Sequence, residues 1–261
     1  MKNLFKTLGL AAIVMAMAAC TDRVETNGGY GEIVATVNTS PEVSLKDVAT
    51  NDKIYTLDGL TLPSSSDFSF EVISTSDNSS QSWDSITEFA SEKRYFPAGE
   101  YTLKVAYGDP TGEGFDITPY FAGQSKIEVM PRTVSKATIS ARIGHTVVAV
   151  ECTDNFKMYF PSYDFKVTTL AGGEFNITLP MSQTLFIRPQ QFAIDCIATK
   201  QTGEQITLPR QIFTEVNPQT RYTVKFDVAE AGSVTIHIKL NDQLIESIAI
   251  DTELNDDALP E

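Results

Sequence analysis

Three carboxylates sit within one glycine-rich stretch: Asp109, Glu113 and Asp116, in Tyr107-Gly108-Asp109-Pro110-Thr111-Gly112-Glu113-Gly114-Phe115-Asp116. Clustered oxygen ligands are the raw material of a calcium loop, but this spacing does not follow the EF-hand order, and Gly, Pro and Asp also build ordinary turns. The same stretch leads through Phe115 to Tyr120 and Phe121. Their flat apolar faces suit the C–H face of a sugar ring, and equally suit pinning a long loop onto a domain. Trp83 offers the largest such face, although its helical spacing with Ile86 and Phe89 predicts a core position. Tyr120, Phe121, Phe115 and Trp83 are therefore the candidate ligand contacts. A second aromatic group, Tyr159, Phe160, Tyr163 and Phe165, poses the same alternative.

Catalysis needs a constellation of groups, and the sequence offers none. The two histidines, His145 at a turn between units and His237 on the outer face of a strand, lack Cys, His or carboxylate partners at metal-ligand spacing. Both are expected at the surface. No nucleophile elbow, phosphate loop or dinucleotide fingerprint occurs, and acid pairs such as Asp256-Asp257 follow from composition alone. The expectation is a protein that is not an enzyme and uses no metal or cofactor.

One chemical feature is sharper. Met17-Ala18-Ala19-Cys20 closes an apolar run from Leu8 that follows Lys2 and Lys6 and is too short to cross a bilayer. Small residues directly before a Cys at this point resemble the lipobox of bacterial lipoproteins, which implies a signal peptide over residues 1–19 and lipidation of Cys20. At about 0.8 kcal/mol per buried methylene, two or three acyl chains hold a protein on a membrane durably. The expected location is the outer membrane, at the cell surface or on its periplasmic face.

Composition narrows the partners. The chain carries 20 basic and 34 acidic residues, for a formal charge of −14. Losing residues 1–19, with two lysines and no acid, takes it to −16. Such a surface repels phosphate backbones and no basic cluster offsets it, which excludes nucleic acid. Cys152 and Cys196 fall on apolar faces in a compartment that permits disulfides, so either one bond or two buried thiols is expected.

The elements that must position these residues are strands. A polar tether over residues 20–31 contains Asn27-Gly28-Gly29; period-two runs follow at Ile33 to Val37, Phe68 to Val72, Tyr101 to Tyr107, Ile127 to Val129 and Ala137 to Ile143. A short helix is expected where Trp83, Ile86, Phe89 and Ala90 take helical spacing, with Ser85 and Glu88 as a capping box. The second half repeats the first. Glu128-Val129-Met130-Pro131-Arg132-Thr133 returns as Glu215-Val216-Asn217-Pro218-Gln219-Thr220, each leading into a strand. The reading is all-β: two tandem immunoglobulin-like β-sandwiches, residues 32–143 and 144–229, and a C-terminal hairpin with an acidic tail, 230–261. Asn241-Asp242 turns that hairpin.

Trp83, Glu88, Pro97-x-Gly99-x-Tyr101, Tyr107-Gly108, Gly114-Phe115-Asp116, Pro119-Tyr120-Phe121-x-Gly123, Asn155-Phe156 and Tyr163 together resemble a Bacteroidetes lipoprotein family of unknown function. In that family an immunoglobulin-like module lies behind a lipidated cysteine, sometimes ahead of a carbohydrate-metabolism domain. The likeness spans roughly Ile33 to Val228. Ile117-Thr118 stand where a single basic residue is expected, and no long C-terminal domain follows in this sequence. A weaker likeness is to fimbrillin-type subunits of the same bacteria. The resemblance implies a membrane-anchored binding module whose partners are glycan or other envelope proteins, or a fimbrial subunit or anchor that assembles by strand addition.

Overall fold

The computed structural model describes residues 28–44, 54–57, 60–230, 233–240 and 243–251. Cys20 with its signal segment, most of the expected tether, Asn241-Asp242 and Asp256-Asp257 lie outside the described residues.

The first unit runs β1 (Tyr30–Thr39), a short hairpin of β2 (Glu42–Ser44) and β3 (Ile54–Thr56), a single 3-10 turn, β4 (Ser69–Ser74), β5 (Ser80–Trp83), α1 (Ile86–Glu92), β6 (Tyr95–Pro97), β7 (Gly99–Tyr107), β8 (Phe121–Val129) and β9 (Val134–Ile143). The second runs β10 (Thr146–Cys152), α2 (Asp154–Tyr159), β11 (Ser162–Thr169), β12 (Glu174–Ile177), β13 (Leu185–Ile187), β14 (Phe192–Thr199), β15 (Gln205–Phe213) and β16 (Arg221–Glu230); β17 (Ser233–Leu240) and β18 (Gln243–Asp251) follow.

Both units use one topology, as the repeated sequence predicts. The first sheet has the order β5-β4-β7-β8-β9-β1-β6. β8 and β9 pair only at Phe121↔Ile143 and Ala122↔Arg142, so the sheet divides there into two halves that enclose one core. Phe70, Leu103 and Val105 enter it from one half, Ile33, Ile139 and Ala141 from the other. In the second unit the equivalent halves are separate sheets, β12-β11-β14-β15 and β13-β10-β16-β17-β18. The parallel pair β1–β9 has its counterpart in the parallel pair β10–β16. β17 and β18 extend the sheet at β16, so the terminal hairpin is part of the second sandwich's wall.

The repeated turn shows how closely the duplication is kept. Arg132 and Gln219 both stand at φ 58°, the left-handed region that non-glycine residues seldom take. Each amide bonds at the start of the unit's first strand, Arg132 N–H to O of Tyr30, which opens β1, at 2.8 Å and Gln219 N–H to O of His145, just ahead of β10, at 3.1 Å. The helices are not repeated: α1 lies between β5 and β6, α2 between β10 and β11.

Ser85 caps α1, accepting the Glu88 N–H at 3.1 Å, but the Glu88 carboxylate reaches back to Asp84 N–H instead of completing a box with Ser85. Trp83 does not belong to the helix as expected; it ends β5, and it is 5 % exposed because strand pairing with Phe70 turns it inward. There it packs edge-on to Phe89, 4.9 Å between centroids. Each such buried aromatic adds about 1.5–3 kcal/mol of transfer free energy.

Candidate ligand groove at the junction of the sandwiches

The segment between β7 and β8 leaves the first sandwich and docks on the second. Its acids do not converge on one point. Asp109 folds back on Thr111, accepting both its N–H and its hydroxyl, which holds the Asp109 carboxyl below the usual range. Asp116 accepts from the Gln183 amide. Glu113 is taken by the second sandwich: its carboxylate accepts the Thr169 hydroxyl at 2.8 Å, the Arg188 N–H at 3.1 Å and the Gln190 amide at 3.0 Å. Arg188 Nε stands 3.8 Å away. Beside it, Gly114 and Phe186 exchange a reciprocal backbone pair at 2.9 and 3.0 Å. Among the described residues no group of three or more His, Cys, Asp or Glu is placed to hold a metal.

The junction fixes Tyr120. Its N–H donates to His145 Nδ1 at 2.9 Å, its carbonyl accepts from Gly144 N–H at 2.7 Å, and its ring lies so close to Gly144 that a Cβ there would stand 2.5 Å from Tyr120 Cδ1. A glycine is required at 144 for the ring to lie so. His145, expected at the surface, is instead 1 % exposed, because the docked segment covers it. Burial lowers its pKa, outweighing the Gly112 carbonyl and the Glu113 and Asp109 carboxylates that favour the charged ring. His237 is half-buried on the outer face of β17, bonded to Ser247 at 2.9 Å.

Tyr120 borders a groove of about 750 Å³ on the outer face of the first sheet. Glu71, Lys104, Gln124 and Arg142 project there from β4, β7, β8 and β9, Ser82 and Ser140 add hydroxyls, and Gln219 arrives from the second sandwich. The volume is within the range of about 300–1,000 Å³ usual for small-ligand sites. Amides, hydroxyls and single charges of both signs around one half-exposed phenol match the donors and acceptors of a polyhydroxylated ligand.

Of the other sequence candidates, Phe121 is corrected outright: it is 0 % exposed, a core residue of the first sandwich, and its ring is closed to ligand. Trp83 lines the groove but is 5 % exposed, so its ring offers a ligand little surface. Its indole N–H donates to Glu92 at 2.8 Å, drawing that carboxyl's pKa down, and Arg94 covers the ring at 5.3 Å. Phe115 is half-buried, edge-on to Phe175 at 6.2 Å, and pins the docked segment onto the second sandwich. Phe160 and Phe165 are core, Tyr159 is buried, and Tyr163 is half-buried. Cys152 and Cys196 are free thiols packed on the second core. The polar groove residues went unremarked in the sequence. They occupy the outward positions of alternating strands, and alternation reads those only as solvent face.

The chain belongs to the family described as a domain of unknown function, DUF4493, which matches residues 29–256. No curated protein matches it. Solved structures of similar shape include a candidate cell adhesion protein from Bacteroides eggerthii, 8 % identical, with 83 % of this chain and 97 % of that one covered at a TM-score of 0.41. Another is a fimbrial assembly protein from Parabacteroides distasonis, 9 % identical over 85 % of this chain and 99 % of that one, TM-score 0.42. A third is a candidate polysaccharide binding protein from Bacteroides thetaiotaomicron, 8 % identical over 83 % and 98 %, TM-score 0.39. Likeness at this distance carries no argument about ligand or role.

Proposed function

We propose that this is a lipid-anchored envelope protein, displayed at the cell surface, that binds carbohydrate through the groove at Tyr120 and performs no catalysis. The observation that carries the reading is the preset Tyr120: both backbone groups and one ring edge are fixed, and its neighbours are polar side chains from both sandwiches. Such a site needs little ordering on binding, which favours affinity. Cys20 supplies the anchor. Two experiments test this. A polysaccharide panel should give binding that Tyr120→Ala and Gln219→Ala each weaken; absence of binding across a broad panel would count against the groove. Protease shaving of intact cells should remove the protein while a periplasmic control survives.

A second reading, assembly by strand addition, is favoured by one feature. β18 is nine residues long, is paired among the described residues only along β17, contains no Pro or Lys, and exposes Leu244 and Ile245 at 53 % and 56 %. The other edges are blunter: β5, β6, β12 and β13 have four residues or fewer, and β15 carries Pro209 and Arg210. Concentration-dependent multimers abolished by Ile248→Pro would support it. A strict monomer at all concentrations would remove it.

A further inference from the structure

β13 covers only the start of β10: pairing ends at Val148↔Leu185, and beyond it the edge of β10 faces the segment Leu179-Pro180-Met181 across a cleft of about 630 Å³. One wall is apolar, made of Leu179, Pro180 and Met181, whose sulfur takes the Val150 N–H at 3.2 Å. Tyr163 lines the cleft and is half-buried against Phe156 and Phe165. The charged lining is three cations and one carboxylate, that of Glu151. Lys157 from α2 and Arg221 and Lys225 from β16 all line it, in a chain whose formal charge is −14.

Those three cations are balanced only in part. Lys157 pairs with Asp154 at 3.3 Å, and Arg221 Nη2 lies 4.0 Å from Glu151. Lys225 has no ion-pair partner among the described residues. Thr223 stands between Arg221 and Lys225 on the same face of β16, in register with Ala149 of the cleft wall. It is 1 % exposed, lies outside the lining of the cleft, and its hydroxyl has no hydrogen-bond partner among the described residues.

We propose that this cleft is a second binding site, separate from the groove at Tyr120, which takes a carboxylated sugar of the uronic acid class. Lys225, the lining cation without an ion-pair partner among the described residues, suits one carboxylate. Tyr163 and the Leu179-Pro180-Met181 wall suit the C–H face of a pyranose.

The test uses the full chain purified in detergent and titrated calorimetrically with tri-galacturonic acid, with maltotriose as the neutral probe and poly-L-glutamate as the acidic non-sugar. The galacturonide should bind, maltotriose should not bind at this site, and Lys225→Glu should weaken galacturonide binding about tenfold or more, as loss of a charge-assisted contact implies. Lys157→Ala, on an exposed helix face, should weaken it less; it serves as the second variant if Lys225→Glu melts early. Tyr120→Ala should leave galacturonide affinity unchanged, which separates this site from the groove. Galacturonide binding that survives Lys225→Glu and Lys157→Ala, or is abolished by Tyr120→Ala, would overturn the proposal. Equal affinity for poly-L-glutamate would overturn the sugar assignment, and no galacturonide binding would overturn the site.

Discussion

Thr169 of the second sandwich donates its hydroxyl to the Glu113 carboxylate of the first at 2.8 Å, and the same hydroxyl accepts the Gly173 N–H at 3.0 Å. With the Arg188 N–H and the Gln190 amide on the same carboxylate, one side chain of the first unit satisfies three donors of the second. Removing it leaves those donors without their charged acceptor, at about 1–3 kcal/mol for each group left unsatisfied. Glu113→Ala is expected to lower stability by about 3 kcal/mol in urea titration and Glu113→Gln by less, since the amide oxygen still accepts. A change below about 0.5 kcal/mol for Glu113→Ala would mean that the clamp contributes little.

His145 gives the junction a pH dependence whose sign can be fixed. Burial holds its pKa below the 6.5 of an ordinary imidazole, so between the folded and unfolded values the unfolded chain binds more protons. The stability contributed is full above the unfolded pKa and is lost as pH falls from about 6.5 through the folded value. The wild-type chain should therefore lose more stability than His145→Gln between about pH 7.5 and 5.5, measured as the difference in urea midpoints. Equal slopes in both proteins would show that another group carries the dependence.

How far the sequence reached is clear from individual residues. Tyr101, Leu103 and Val105 alternate and are buried, and the repeated Glu-Val-x-Pro-x-Thr turns adopt equivalent backbones at Arg132 and Gln219. Local period and turn chemistry encode such features directly. The place of Phe121 is legible too: carried back from Ile127 and Val129, the period of two puts it on the same face of β8, buried like Val129. His145 and Glu113 were not readable. Their burial comes from packing one sandwich on the other, across sequence separations of 25 residues for Tyr120–His145 and 56 for Glu113–Thr169, which local pattern does not contain.

Adjacent aromatics on β8 and just before it should therefore behave in opposite ways. Phe121→Ala empties a fully enclosed site in the first core and should cost about 3–5 kcal/mol of stability. Tyr120→Ala removes a half-exposed ring and should cost less while weakening carbohydrate binding. Denaturant unfolding of both variants, alongside binding of the best ligand from the panel, separates the two roles. Loss of binding in a Phe121→Ala protein that remains as stable as wild type would return Phe121 to the ligand site.

The two thiols of the second sandwich should be chemically silent while the fold is intact. Burial pushes the Cys152 thiol up to about 12, against a small opposing pull from Lys157, and raises Cys196 as well, with Cys152 and Asp164 adding to the effect. The thiolate is the reacting species, so at about pH 8 almost none is present at either position. Alkylation followed by peptide mass mapping should leave Cys152 and Cys196 unmodified in the native protein and modify both once about 6 M guanidinium unfolds the sandwich. Of the two, Cys152 is the less buried, so any slow native-state labelling should start there. Fast labelling of Cys196 without denaturant would mean that β11 and β14, whose Phe165↔Cys196 register encloses it, separate readily in the folded chain.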